Sequence, residues 1–310
     1  MTTATIDIGT NTVLLLIARI DDRGIFWPLA YEQRVPRLGK GVDRNKTLNA
    51  EATDRVIGVL EEYKQIISRF PIDRVVVCGT SAVRDAANRD DFAGRIRRET
   101  GFELEILSGD EEALWTYRGA VSGIPEISRA TVIDIGGGST EITIGDRTRI
   151  EQKISLDIGS VRLTERLFHH DPPTHPELEA AIEAAENEIS RAAGFRFAGS
   201  TLIGVAGTAT TLAILAQGFR DFTVDAVTNY RLMREKVDEL FRTLRAMPSS
   251  QIREISAVME GRHDVITAGS LILREVMAHF AFGEMIVSER GVRYGLAIRE
   301  WERKQSKTSG

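Results

Sequence analysis

The chain is poor in cysteine: among its 310 residues only Cys78 is one. That excludes an intramolecular disulfide. The thiol sits at the end of the apolar run Val75-Val76-Val77 and reads as a buried, reduced side chain. Basic charge is not in excess either. The net charge is −5, so no global positive field collects nucleic acid, and attraction for a polyanion has to be local. Long apolar runs are missing: Val13 to Ile17 is far too short to cross a bilayer, and the N-terminus enters a strand without a basic leader. These absences predict a cytoplasmic protein with neither nucleic acid nor membrane as partner. His169, His170 and His175 share a loop with Pro172, Pro173 and Pro176 but lack a fixed ligand spacing, which argues against a metal site there. What is present is an ordinary soluble balance, 42% hydrophobic and 27% charged, in a chain long enough for two domains.

The stretch Thr131 to Ile144, TVIDIGGGSTEITI, stands out as strand, glycine turn, strand. Gly136, Gly137 and Gly138 let the backbone close tightly around a ligand and turn N–H groups inward, and Ser139 and Thr140 add hydroxyls. Asp134 and Glu141 flank the turn. Donors between two acids suit a phosphate whose charge is shared with a divalent cation. The alternative is a hairpin whose glycines only permit positive φ. A shorter version of the unit, Asp7-Ile8-Gly9-Thr10-Asn11-Thr12, opens the chain, and the repetition reads as an internal duplication giving two lobes with a cleft between them.

The periodicities predict a first lobe of order βββαβαβ over residues 1–124 and a second on the same plan over 125–291, with a closing helix from Val292 that crosses back onto the first. Asn49 is placed to cap a helix ending before Pro71. Arg74 to Gly79 reads as a buried strand. Ser108 and Glu111 fit a capping box, which occupies Glu111 and leaves Glu112 pointing elsewhere.

Three further stretches carry candidate chemistry. Val205 to Thr210 reads as strand, Gly207-Thr208 turn and helix start, an anion-binding arrangement or simple N-capping by Thr208; it lacks the lysine of a P-loop. Arg84 follows a buried strand and either forks onto phosphate oxygens or pairs with Asp85 or Asp90. Glu112 is either a general base for water or a first-turn acid favoured by the helix dipole.

Taken together, DIGTNT at Asp7, GTSAVRDA at Gly79, SGDEEA at Ser108, DIGGGSTE at Asp134 and GVAGTATT at Gly204 occur in one order over nearly the whole chain. This set resembles the exopolyphosphatase/guanosine pentaphosphate phosphatase (Ppx/GppA) family, within the actin-like ATPase superfamily. The resemblance implies an α/β protein of two ribonuclease-H-like lobes. It implies Glu112 as the base that activates water, with Arg84 and Asn11 approaching phosphate. Gly136, Gly137, Gly138, Ser139, Gly207 and Thr208 would cradle phosphates. Asp134 and Glu141, with Asp7 nearby, would hold Mg²⁺, or Mn²⁺ in its place. The substrate would be polyphosphate or guanosine pentaphosphate (pppGpp), and the assembly a homodimer. Two departures stand out. Tyr294 occupies a position where an acid is common, next to Arg293. The C-terminal helical domains of longer members are absent from this sequence, which leans toward short-chain polyphosphate. An ATP-dependent kinase or ATPase and a non-catalytic sensor of polyphosphate or alarmone are the competing readings.

Overall fold

The computed structural model describes residues 1–124, 126–147 and 149–308. The chain divides into two compact units. Unit 1 runs from Met1 to Gly119 and takes in the C-terminal segment from Val292; unit 2 runs from Ala120 to Gly291. The division falls five residues before the one read from the sequence, within a helix; Pro125, at the expected boundary, lies outside the described residues.

Unit 1 contains β1 (Thr2–Ile8), β2 (Val13–Ile20), β3 (Phe26–Arg34), α1 (Val42–Asn45), α2 (Ala50–Ile67), β4 (Arg74–Gly79), α3 (Ser81–Asp85), α4 (Arg89–Thr100), β5 (Leu104–Ile106) and α5 (Gly109–Ser122), whose last turn passes into unit 2. Its sheet has the order β3-β2-β1-β4-β5. β2 is antiparallel to both neighbours, while β4 pairs parallel with β1 and β5. Side chains alternate across this sheet, so each face has its own cover. Ile6, Ile8, Leu15, Ile17 and Val77 pack with Val56, Leu60 and Tyr63 of α2 and Ile96 of α4. The opposite face, with Val76 and Cys78, packs against Leu107, Trp115 of α5, and Val292 and Leu296 of the C-terminal helix. Asn49 caps α2, its Oδ1 accepting from the Ala52 N–H at 2.9 Å, and α4 ends on Gly101 in the left-handed conformation (φ 77°).

Unit 2 contains β6 (Ala130–Ile135), β7 (Thr140–Gly145), β8 (Ile150–Leu156), α6 (Ser160–Leu167), α7 (His175–Ser190), β9 (Thr201–Val205), α8 (Ala206–Ala216), α9 (Val224–Val227), β10 (Arg231–Met233), α10 (Arg234–Leu244), α11 (Ser249–Ile255), α12 (Ile266–His279) and β11 (Glu284–Val287). The closing helix, α13 (Val292–Thr308), belongs to unit 1. The unit 2 sheet has the order β10-β11-β9-β6-β7-β8. Without β10, which adds to one edge, strand order and direction repeat those of unit 1, with β6, β7, β8, β9 and β11 standing for β1 to β5. Both units therefore have the ribonuclease-H-like sheet that the family resemblance implied. Among the described residues no helix is long and apolar enough to cross a membrane.

Candidate active site

In unit 1 the site begins where β1 and β4 end. Glu112 lies in the first turn of α5, and the capping box anticipated beside it is formed. The Ser108 N–H and hydroxyl donate to Glu111 Oε2 at 2.9 and 2.8 Å, and the Glu111 N–H donates to Ser108 Oγ at 3.2 Å. Glu111 is thereby engaged in the cap, and Glu112 turns inward, 8% exposed. Arg84 meets it there: Nη1 donates to Glu112 Oε2 at 2.7 Å and to the Leu107 carbonyl at 3.1 Å. The Thr80 hydroxyl also bonds the carboxylate. Burial pushes the Glu112 carboxyl above the usual glutamate range, while Arg84 pulls the other way. Glu112 and Arg84, 28 positions apart, thus form one ion pair with the carboxylate buried and the guanidinium partly exposed. Pairing with Glu112 fixes Arg84 beside the candidate base.

Asp7 closes β1 next to Cys78 of β4, whose buried thiol stands 3.9 Å from Asp7 Oδ1. The Asp7 side chain keeps some solvent exposure but is enclosed by protein on most sides. Burial first, then the charge of Glu112, raise its pKa to about 7, against a smaller downward pull from Arg293. Burial likewise pushes the Cys78 thiol up, which suits the inert role read from its setting. In the turn after β1 the Gly9 N–H donates to Thr12 O at 2.9 Å, and the carbonyls of Thr10 and Asn11 accept from the N–H groups of Gly39 and Arg37 at 2.7 and 3.0 Å.

The corresponding turn of unit 2 has the same hydrogen bond, from the Gly136 N–H to Ser139 O at 2.9 Å. None of Gly136, Gly137 and Gly138 is among the glycines with positive φ, so the hairpin reading does not explain them. Close approach does. The carbonyls of Gly136 and Gly137 accept from the N–H groups of Ser160, Val161 and Arg162 at the start of α6, and a Cβ on Gly159 would fall 2.5 Å from Gly137 O. Asp134 and Glu141 face each other in the β6–β7 register and so project from the same face. Glu141 is 2% exposed, and the Ser155 hydroxyl donates to its Oε1 at 2.6 Å.

The β9–α8 junction brings up a second donor set. Ala206 has φ 62°, an uncommon conformation for a residue with a Cβ, and it turns the chain directly into α8. The N–H groups of Gly207 and Thr208 lie in the first turn of that eleven-residue helix. The Thr208 side chain is tied inward: its Oγ1 donates to the Ile135 carbonyl at 3.4 Å, and it packs on Gly269, where a Cβ would meet Oγ1 at 2.6 Å. Gly207 is shaped by a residue the sequence reading missed. A Cβ there would run into the guanidinium of Arg262, 55 positions away. Nothing in the local pattern of Gly261-Arg262-His263-Asp264 announces that contact.

His170 Nδ1 lies 2.8 Å from Glu177 Oε1, and the Glu177 carboxylate accepts from the N–H groups of His169 and Thr174 as part of a capping box on α7. That loop serves the helix.

Two carboxylates on one strand pair are a fitting donor set for Mg²⁺, a hard cation that takes one or two carboxylates and completes its shell with water and phosphate oxygens. Among the described residues no group of three or more His, Cys, Asp and Glu side chains is arranged to hold a metal. Asp7 fits less readily, because a cation there has to displace a proton that burial retains to about pH 7.

Two α/β units with the same strand order and direction place the chain in the ribonuclease-H-like class. Comparison with known proteins narrows this. The model of the Ppx/GppA phosphatase family matches residues 16–304. Exopolyphosphatase 2 of Mycobacterium tuberculosis is 34% identical over 95% of this chain and 97% of its own length. The bifunctional 3-dehydroquinate synthase/phosphatase of Fusobacterium nucleatum is 33% identical over 97% of this chain, which spans only 47% of that longer protein. A solved exopolyphosphatase-like protein superposes with a TM-score of 0.92 at 33% identity, covering 98% of this chain and 99% of its own. The Aquifex aeolicus Ppx/GppA protein gives 0.83 at 32%, covering 98% of both chains. The chain belongs to the Ppx/GppA phosphatase family.

Proposed function

We propose that the protein is an Mg²⁺-dependent exopolyphosphatase, removing the terminal phosphate of inorganic, short-chain polyphosphate by hydrolysis. Family membership makes it a phosphatase by class. The observation that carries the finer reading is the Glu112–Arg84 pair: a buried carboxylate, raised by its surroundings and held in one orientation at 2.7 Å, is a suitable general base for water. Glu112 takes a proton from the attacking water, whose oxygen bonds to the terminal phosphorus as the bridging P–O bond breaks. The shortened chain leaves with the bonding electrons, and orthophosphate is the second product.

The transferred group is strongly anionic, so its oxygens have to be matched by donors before water can approach. The backbone of Gly136 to Ser139 and the N-terminus of α8, with Gly207 and Thr208, supply donors from unit 2. In unit 1 the candidate donors to phosphate are Asn11 and Arg84. Asp134 and Glu141 would hold the cation. Bound Mg²⁺ adds charge neutralisation on the phosphate oxygens. Similarity to a relative named exopolyphosphatase, 34% identical over 95% of this chain, supports the polyphosphate reading.

The test is phosphate release in Mg²⁺ from inorganic tripolyphosphate, pppGpp and ATP in parallel. Release from tripolyphosphate well ahead of the other two is expected. Preference for pppGpp would move the protein to the nucleotide branch of its family. Release from none, with binding intact, would make it a sensor.

A further inference from the structure

One buried charge in unit 1 has no part in the chemistry above. Arg293 lies in the first turn of α13 and is only 4% exposed. Its Nη2 donates to the Tyr31 hydroxyl at 3.2 Å, and its guanidinium carbon lies 4.4 Å from the centre of the Tyr31 ring. The other terminal nitrogen, Nη1, is buried, and no described residue accepts from it. Burying a guanidinium is expensive unless its N–H groups find acceptors. An orphan of this kind calls for a partner that arrives from outside the chain.

The surroundings say which partner. Arg293 shares its end of the sheet with Asp7, whose carboxyl senses both its charge and that of Glu112. Helices α5 and α13 touch just below: a Cβ on Gly295 would run into the Trp115 carbonyl, so the glycine lets the two backbones meet. Glu112 on α5 and Arg293 on α13 each lie within a turn of that contact, and both charges reach Asp7 near the end of β1. The hydroxyls of Thr5 and Thr116, one step deeper on β1 and α5, are also buried without a partner. A hydroxyl can rotate and can either donate or accept, so an internal water satisfies it. A guanidinium only donates and carries a full charge, which water does not neutralise.

Resting on the hydrolase reading, we infer that Arg293 is a second substrate-binding arginine of unit 1, steadied by Tyr31 and donating through Nη1 to a non-bridging oxygen of the terminal phosphate. Arg84 divides its charge between Glu112 and the substrate, and Arg293 adds a second cation whose Nη1 meets no acceptor among the described residues. The stack on Tyr31 holds the fork in place without using its remaining donor.

The experiment measures tripolyphosphate hydrolysis and, in the Glu112→Gln background where turnover is blocked, tripolyphosphate affinity by calorimetry. Arg293→Gln is expected to lower kcat/KM by roughly a hundredfold and affinity at least ~10-fold. Arg293→Lys should recover part of both, as it keeps the charge but not the fork. Tyr31→Phe keeps the ring and loses the hydroxyl, and should raise KM about threefold; it carries the test if the arginine variants fail to fold. An Arg293→Gln protein with affinity and KM within about twofold of its parent, changed only in thermal stability, overturns the inference and makes Arg293 a structural cation. So does an unchanged KM in Tyr31→Phe. Should Glu112→Gln leave hydrolysis intact, the hydrolase reading itself falls and this inference with it, a result distinct from failure at Arg293 alone.

Discussion

The two units share a sheet and differ at its business end. Gly9 and Gly136 make the same turn bond, each N–H donating at 2.9 Å to the carbonyl three residues on. Around that bond unit 1 places side chains, Thr10, Asn11 and Thr12, where unit 2 has bare backbone at Gly137 and Gly138. The next crossing differs in the same sense. After β4 the chain enters a five-residue helix that delivers Arg84 to Glu112, whereas after β9 a strained Ala206 opens an eleven-residue helix with free N–H groups in its first turn. The lesson is a division of labour on one scaffold: unit 1 presents charged side chains, the candidate base and the arginine paired with it, and unit 2 presents backbone N–H groups and a carboxylate pair.

That contrast can be broken most sharply at the glycines that support each turn. A Cβ on Gly159 meets the backbone of Gly137 and Gly138, which has nowhere to go; Gly159→Ala should cost about 4 kcal/mol or more in chemical denaturation. A Cβ on Gly39 first meets the Thr10 methyl group, a side chain, so Gly39→Ala should be substantially relieved by Thr10→Ser. Equal cost at both sites, with no relief from the second change, would erase the distinction between backbone-built and side-chain-built turns.

The charged half should show in the pH dependence of stability. Asp7 has a folded pKa of about 7 against an ordinary value of 3.8. The folded state therefore binds more protons between those values, and stability falls as pH rises from about 4 to about 7 before levelling off. Asp7→Asn should remove that slope, gaining on the order of 2–4 kcal/mol over wild type above pH 7 and little below pH 4. Melts at three pH values check the sign. In unit 2, Glu141→Gln should raise the Mg²⁺ concentration for half-maximal activity by roughly tenfold. An unchanged requirement would remove Glu141 from the cation site. The smallest effect concerns the acid limb of activity. Because burial raises Glu112 and Arg84 opposes it, Arg84→Gln should move that limb to higher pH, beyond any loss of rate.

Much of this division could be read from the chain. The repeated Asp-Ile-Gly unit announced the duplication, since a turn flanked by β-branched strands is a local signal, and the capping box isolated Glu112 because its partner is three residues away. Contacts at long range stayed hidden. The local pattern offers Arg84 phosphate, Asp85 or Asp90 as partners but not Glu112, which only the packing of β4 and α5 brings to it, and Arg262 reaches Gly207 only through the packing of unit 2. The Arg293–Tyr31 clamp joins residues 262 positions apart. The three-residue β10 escaped because it is too short for a periodic signal and exists by pairing with β11. The strained φ of Ala206 carries no mark in residue type at all.

The account stands most directly on Glu112. Phosphate release from tripolyphosphate in Mg²⁺ should be measured for wild type and Glu112→Gln, with tripolyphosphate binding followed in the same samples. Release falling by roughly a thousandfold while binding stays within a few-fold is the predicted result. Release at the wild-type rate from a Glu112→Gln protein that binds normally would contradict the assignment of the base, and with it the role given to unit 1.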